Sequence, residues 1–146
     1  MHGIFPMYTK MAFAALMLAA ASNSALAQQA APPAVKATTI TKATTNTWSK
    51  PFNFPTKSPE VIVSIVDFLP GAAGPTHSNP FPRYIYILEG TLTVDTVEGK
   101  TVDFPAGSII LSGQQVVTAR NKGSVPAKLL VIDQTEAGVG NTVAQK

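Results

Sequence analysis

Residues 70–94 read PGAAGPTHSNPFPRYIYILEGTLTV and join a loop, a strand, a turn and a second strand in one stretch. The first half is rich in glycine and proline, which interrupt regular structure. Residues 84–88 and 91–96 are then rich in Tyr, Ile, Thr and Val, which favour β-strands. Glu89-Gly90 separates the two runs, and glycine admits the positive φ that a tight hairpin turn requires. The stretch therefore predicts an antiparallel β-hairpin.

Short runs of the same kind continue on both sides of this hairpin. They are separated by Gly, Pro and Asn at close intervals, and none has the spacing of an amphipathic helix. Glu98-Gly99 is a second predicted turn. The sequence therefore predicts an all-β, antiparallel barrel. Its predicted strands are residues 61–69, 84–88, 91–96, 101–104, 108–111, 116–120 and 127–133.

Residues 1–27 have the features of a signal peptide. Lys10 precedes an apolar run over residues 11–21, which is too short to span a bilayer. Residues 25–27 are Ala-Leu-Ala and offer the small side chains that signal peptidase requires. We therefore expect cleavage before Gln28 and export to the periplasm or beyond the cell. No membrane attachment is predicted after cleavage.

The composition agrees with an exported protein. Met1, Met7 and Met11 all remain open as the true start, and export is predicted for each. The chain has no cysteine, so it carries neither a disulfide framework nor a thiolate nucleophile. Its 11 basic and 8 acidic residues form no basic cluster, which argues against a nucleic-acid partner.

The chain divides into four predicted regions. The signal peptide is followed by a flexible leader rich in Ala, Thr and Pro over residues 28–47, which lacks apolar periodicity. The barrel domain covers residues 48–136. Residues 137–146 are predicted to be a C-terminal tail.

Residues 70–94 also resemble the first conserved motif of the cupin superfamily, G(X)5HXH(X)3–4E(X)6G. Gly71, His77 and Gly90 fall on the fixed points of that motif. The resemblance extends beyond this segment, over about residues 48–133, because a second motif follows.

The second cupin motif consists of a PxG-type turn, a strand, a histidine and then an asparagine. Pro105, Gly107 and Asn121 match this outline. The ordered combination of both motifs implies a jelly-roll-like cupin barrel, with its site inside the barrel mouth.

In metal-binding cupins, two histidines and a glutamate of the first motif and a histidine of the second enclose a divalent transition metal. The resemblance places His77, Asn79, Arg83 and Val117 at these four positions, and a shift of one residue puts Thr118 at the last. Arg83 is cationic and has no lone pair to give. We therefore expect no cofactor. A weak divalent transition-metal site at His77 and Asn79 is the less favoured alternative.

Arg83 shares strand parity with Ile85 and Ile87, so we expect all three side chains to face the barrel interior. A guanidinium in an apolar interior needs a partner. An internal carboxylate is the favoured partner, and an anionic ligand is the alternative. The candidate carboxylates are those of Asp67, Asp95 and Asp133.

Three functions fit this sequence. The favoured one is a periplasmic cupin-domain protein, not an enzyme, that binds a small organic ligand, anionic in one version, without a conventional metal. A cupin-type isomerase, lyase or dioxygenase with an atypical metal site is the first alternative. A structural protein that forms homodimers through its sheets is the second. The predicted ligand-binding residues are His77, Asn79, Arg83, Ile85, Ile87, Val117 and Thr118.

Overall fold

The computed structural model describes residues 35–145, and the compact unit within them begins at Ala37. The predicted signal peptide and the first part of the predicted leader lie outside the described residues. Residues 35–145 contain β-strands and no helix, so none of them forms a helix of the length and apolarity needed to cross a membrane. The strands are β1 (Pro59–Phe68), β2 (His77–Ser78), β3 (Arg83–Glu89), β4 (Thr91–Thr96), β5 (Thr101–Pro105), β6 (Ile109–Ser112), β7 (Val117–Arg120), β8 (Ala127–Glu136) and β9 (Val143–Ala144).

The described strands form two sheets in which every pairing is antiparallel. One sheet has the order β1-β8-β3-β6, and the other has the order β5-β4-β7-β2-β9. The predicted hairpin of β3 and β4 is wrong, because β3 pairs with β6 and β8 whereas β4 pairs with β5 and β7. The two strands lie in different sheets, and the chain crosses from one sheet to the other at Gly90. The predicted all-β antiparallel barrel is confirmed for this part of the chain.

Gly90 has a φ of 71°, as the predicted turn requires. A Cβ atom at this position would lie 2.4 Å from the Pro126 carbonyl oxygen and 2.9 Å from Ala127 Cα. Both contacts are to backbone, which cannot yield as a flexible side chain would. Gly90 is therefore required for its φ and for the close approach of the 126–127 backbone.

The core lies between the two sheets, where strand alternation turns apolar side chains inward. Ile87 of β3 and Leu129 of β8 come from one sheet, and Leu92 of β4 and Val117 of β7 come from the other. Trp48, which lies N-terminal to β1, packs against this cluster. The buried cluster consists of Ile87, Leu92, Val94, Ile110, Val117, Leu129 and Val131.

Seven of the nine strands overlap the predicted ones, and the two short strands β2 and β9 were not predicted. Each has two residues, and β2 lies among prolines that disfavour a strand. They pair with each other, and β2 also pairs with β7. The region predicted as a tail therefore includes a strand that packs on the barrel domain.

Candidate functional site

A cavity of about 200 Å3 opens between the two sheets beside the apolar core. Its walls are largely aliphatic, and its polar side chains are those of His77, Arg83, Asp133 and Ser64. Both sheets contribute, since Ile85 and Val131 belong to one and Leu92 and Ala119 to the other. The remaining lining residues are Val66, Phe68 and Leu129.

Arg83 and Asp133 form an ion pair at this cavity. They are directly opposite each other in the β3–β8 register, on the inward face that also carries Ile85 and Ile87. Arg83 Nε donates to Asp133 Oδ1 at 2.7 Å and Arg83 Nη2 donates to Oδ2 at 3.1 Å. The side chains are 18% and 9% exposed. The pair has the bidentate geometry that makes guanidinium–carboxylate contacts strong.

The two other candidate carboxylates lie elsewhere. Asp67 is exposed near the end of β1. Asp95 is on β4 and accepts hydrogen bonds from Thr101 and Arg120. The favoured expectation, an internal partner for Arg83, is therefore met by Asp133.

Two residues that the sequence analysis did not identify complete the polar network around this pair. Asn141 is 5% exposed, and its Nδ2 donates to Asp133 Oδ1 at 2.6 Å. The Thr142 hydroxyl accepts from Arg83 Nη2 at 3.1 Å. Their signal is weak in sequence, because they follow the glycines of residues 138–140 and lie outside any apolar pattern. The need of a buried ion pair for further hydrogen bonds is the one clue that points to such residues.

His77 lies on β2 and lines the same cavity. Its Nδ1 is 2.9 Å from the Pro75 carbonyl oxygen. A carbonyl can only accept a hydrogen bond, so Nδ1 carries the proton in this contact and Nε2 of the neutral ring keeps its lone pair. Nε2 is thus the nitrogen available to a ligand.

Asn79 is fully buried, and both polar atoms of its side chain form hydrogen bonds within the protein. Its Nδ2 donates to the Asn141 carbonyl at 2.5 Å, and its Oδ1 accepts from the Ser112 hydroxyl at 2.9 Å. It does not line the cavity. Its amide instead ties the segment around residue 141 to β6, next to the ion pair.

The other predicted ligand-binding residues are divided between cavity, core and outer face. Ile85 lines the cavity, whereas Ile87 and Val117 lie in the buried core cluster. Thr118 points to the opposite face of β7, where its hydroxyl is 2.7 Å from that of Thr76. The structure thus brings His77, Arg83 and Ile85 together at one cavity. That any of the seven binds a ligand stays a prediction.

The side chains at the four metal-ligand positions do not fit a transition metal. Arg83 offers a cation where the motif has a carboxylate, Asn79 has both amide atoms in protein hydrogen bonds, and Val117 has no donor atom. His77 is the remaining donor. Among residues 35–145, no group of three or more His, Cys, Asp or Glu side chains is placed to hold a metal. The side chains at these four positions therefore do not form a conventional cupin metal site.

Comparison with known proteins identifies the family. The family model of the cupin domain matches residues 64–133, which contain both motifs, strands β2–β7, the second half of β1 and most of β8. The chain belongs to the cupin superfamily, as the two motifs predicted. No curated protein matches the sequence.

Solved structures with the same fold include proteins of different activities. The polyketide cyclase RemF from Streptomyces resistomycificus is 18% identical, with a TM-score of 0.51 over 59% of this chain and 62% of its own. The DMSP lyase DddQ from Ruegeria pomeroyi is 16% identical, with a TM-score of 0.51 over 58% of this chain and 43% of its own.

An uncharacterised protein with a double-stranded β-helix domain from Klebsiella pneumoniae is 19% identical. Its TM-score is 0.51 over 65% of this chain and 91% of its own. The chain thus spans less than two thirds of the cyclase and the lyase. At these identities the likeness shows the fold alone, since one barrel supports unrelated functions.

Proposed function

We propose that this protein binds a small organic molecule in the cavity between its sheets, without a conventional cupin metal. The observation that carries the proposal is the Arg83–Asp133 pair, which lies at one side of a largely apolar cavity. Arg83 occupies the motif position of a metal ligand. A pair of this kind positions hydrogen-bond donors while neutralising its own charge. It supports binding without supporting metal chemistry.

The size and walls of the cavity define the ligand's bulk. Its volume of about 200 Å3 is below the roughly 300–1,000 Å3 of clefts that take drug-sized ligands. Phe68, Leu92 and Leu129 offer apolar surface to most of the ligand. A compact molecule with a hydrocarbon body is therefore the best match.

The polar side of the cavity defines the ligand's functional group. A guanidinium has five N–H groups, and the hydrogen bonds to Asp133 and Thr142 use those on Nε and Nη2. No described residue accepts from Nη1. Arg83 therefore offers a donor, and His77 Nε2 offers an acceptor. A hydroxyl or carboxyl group, which can accept and donate at once, satisfies both.

The charge of the pair argues against a strict requirement for an anion. Asp133 already neutralises Arg83, so a carboxylate in the cavity would meet a pair with no net charge. We expect alcohols and weak acids to bind at least as well as ionised carboxylates. The ligand class expected from the sequence, a small and perhaps anionic molecule, therefore includes uncharged alcohols and weak acids.

A thermal-shift screen of small alcohols, carboxylic acids, sugars and phosphates tests the proposal, since a ligand that binds the native state alone raises Tm. Ala119→Leu fills the cavity and should abolish the shift. Ala106→Leu makes the same change at an exposed turn and should keep it. A Tm shift that persists in Ala119→Leu would show that the ligand binds elsewhere. The absence of any Tm shift across the screen would contradict the proposed function.

An enzyme remains the second candidate, and His77 is the residue that favours it. An imidazole whose Nδ1 is held by a carbonyl presents Nε2 as a general base, and Arg83 beside the same cavity could polarise an oxygen. With an identified ligand, His77→Gln should preserve binding and remove turnover if the protein is an enzyme. No chemical change in that ligand on incubation with wild-type protein would support the binding function.

A further inference from the structure

A second, larger cleft lies on the outer face of the four-stranded sheet. Its floor is made by Tyr84 of β3 with Ile109 and Leu111 of β6. Strand alternation directs Tyr84 away from the core-facing Ile85 and Ile87, so this cleft shares no lining residue with the cavity between the sheets. Its volume of about 670 Å3 lies within the roughly 300–1,000 Å3 of clefts that take drug-sized ligands.

Aromatic side chains surround much of this outer cleft. Phe52 and Phe54 belong to the loop before β1, and their ring centroids are 5.6 Å apart with the planes tilted by 44°. The Phe52 ring is also 6.4 Å from that of Tyr84, at 58°. Phe54 is 52% exposed, so part of this surface is open to a ligand. Tilted rings offer both faces and edges, which are the surfaces that another aromatic ring contacts best.

The opposite wall of the outer cleft gives it a positive charge. Residues 41–44 form this wall, and Lys42 is the one charged side chain among the lining residues. No carboxylate lines the cleft, and Lys42 takes part in none of the ion pairs found within residues 35–145. An ammonium group at the edge of an apolar surface attracts an anion. The cleft is therefore complementary to a ligand with an aromatic body and one negative group.

Both walls of the outer cleft are anchored by hydrogen bonds within the protein. Asn53, between the two phenylalanines, donates from Nδ2 to the Pro80 carbonyl at 3.0 Å. Next to the lysine wall, the Thr47 amide donates to the Leu111 carbonyl at 2.8 Å. The Leu111 amide in turn donates to the Thr47 hydroxyl at 2.9 Å. Walls that are already held in place reduce the ordering that a ligand must impose, which favours binding.

We propose that the outer cleft binds an aromatic carboxylate. The rings of the ligand lie against Phe52, Phe54 and Tyr84, and its carboxylate faces Lys42. This site is independent of the ligand proposed for the cavity between the sheets, which is smaller and has largely aliphatic walls.

Calorimetric titration with naphthoate and with its uncharged counterpart, naphthalenemethanol, tests the ligand class. Wild-type protein should bind one naphthoate per chain, about two- to fivefold more tightly than the alcohol, which is the usual scale of an exposed charge pair. Lys42→Gln should remove this preference, and Lys100→Gln, at an exposed turn of the other sheet, should keep it. Equal affinity for the two probes in wild-type protein, or no binding of naphthoate, would overturn the proposal.

Three further variants test the position of the site. Phe54→Ala should weaken both probes about tenfold by removing one ring of the cleft. Leu69→Ala is the control at 64% exposure and should bind as wild type does. Ala119→Leu, which fills the cavity between the sheets, should also leave naphthoate binding unchanged. Unweakened binding in Phe54→Ala, or loss of naphthoate binding in Ala119→Leu, would show that the probe binds elsewhere and would refute this site.

A second copy of the chain is the competing occupant of the outer cleft, and molar mass distinguishes it from a small ligand. Light scattering after size exclusion should give the same mass for wild type, Lys42→Gln and Phe54→Ala, with and without naphthoate. A lower mass in either variant, or on addition of naphthoate, would show that the cleft is covered by another chain and would contradict the proposal.

Discussion

The ion pair of Arg83 and Asp133 determines what the cavity can do. Two charges removed from water repay their desolvation only when their geometry and their further hydrogen bonds are good. Here the pair is bidentate, and Asn141 and Thr142 each add a contact. The network therefore holds the guanidinium in one orientation at the cavity wall. This fixed donor is the basis of the proposed ligand recognition.

Removing one member of the pair should be costly. Arg83→Ala leaves the carboxylate of Asp133 uncompensated in an apolar environment, and we expect a loss of about 3–5 kcal/mol of unfolding free energy. The double variant Arg83→Met with Asp133→Leu should recover most of that loss, since an apolar pair of similar volume requires no partner. Urea unfolding of Arg83→Met, of Asp133→Leu and of the double variant gives the coupling energy. Additive losses would show that the pair does not act as a unit.

Sequence parity predicted which way Arg83 points but not which carboxylate it meets. The alternation of Arg83, Ile85 and Ile87 is a local property of one strand, so it can be read from the sequence. The choice of Asp133 over Asp67 and Asp95 depends on the β3–β8 register, which joins residues 50 positions apart. No local pattern contains that information.

At the level of strands, the longer strands β3 and β4 and the short strands β2 and β9 show the same contrast. β3, β4 and their turn follow from composition and from Gly90. β2 and β9 exist because tertiary contacts bring two polar dipeptides together, and each alone is too short to be recognised. Asn79 illustrates the consequence, because its motif position suggested a ligand while its amide holds the returning C-terminal segment.

The β9 segment should be separable from the rest of the barrel. Deleting residues 143–146 removes the pairing of β9 with β2 but keeps Asn141 and Thr142 with the ion pair. We expect little change in Tm and faster amide hydrogen exchange in β2, which carries His77. Asn141→Ala is the contrasting variant and should lower Tm, because it removes bonds to Asp133 and to the Phe81 amide. Unchanged exchange in β2 after the deletion would show that β9 does not hold this strand.

The second sheet carries a pH-dependent contribution to stability on its outer face. A hydrogen bond from Thr101, together with Arg120, lowers the pKa of Asp95 in the folded protein. The unfolded state therefore takes up the proton first as pH falls. The contribution is complete above the ordinary aspartate pKa and is lost as pH drops through the lowered value.

Asp95→Asn should therefore lose stability at neutral pH and show a shallower fall in unfolding free energy on acidification. Asp67→Asn is the control, because Asp67 is exposed and forms none of the ion pairs described here. Denaturant titrations from neutral to acid pH measure both slopes. Identical slopes for wild type and Asp95→Asn would contradict this assignment.

For the molecule as a whole, export is an expectation that rests on residues 1–27. The apolar run and the Ala-Leu-Ala site predict a mature chain that begins at Gln28. Intact-mass and N-terminal peptide analysis of protein from the periplasm or medium of the native host should show that start. Recovery of the chain with residues 1–27 intact would contradict export by cleavage.

Native mass spectrometry of the protein purified from its native host most directly tests the central claim that the barrel binds a small organic molecule without a conventional metal. We predict the mature chain mass plus one small organic ligand per chain, no bound transition metal, and loss of that ligand in Ala119→Leu. A stoichiometric transition metal in the wild-type protein that disappears in His77→Gln would contradict the account.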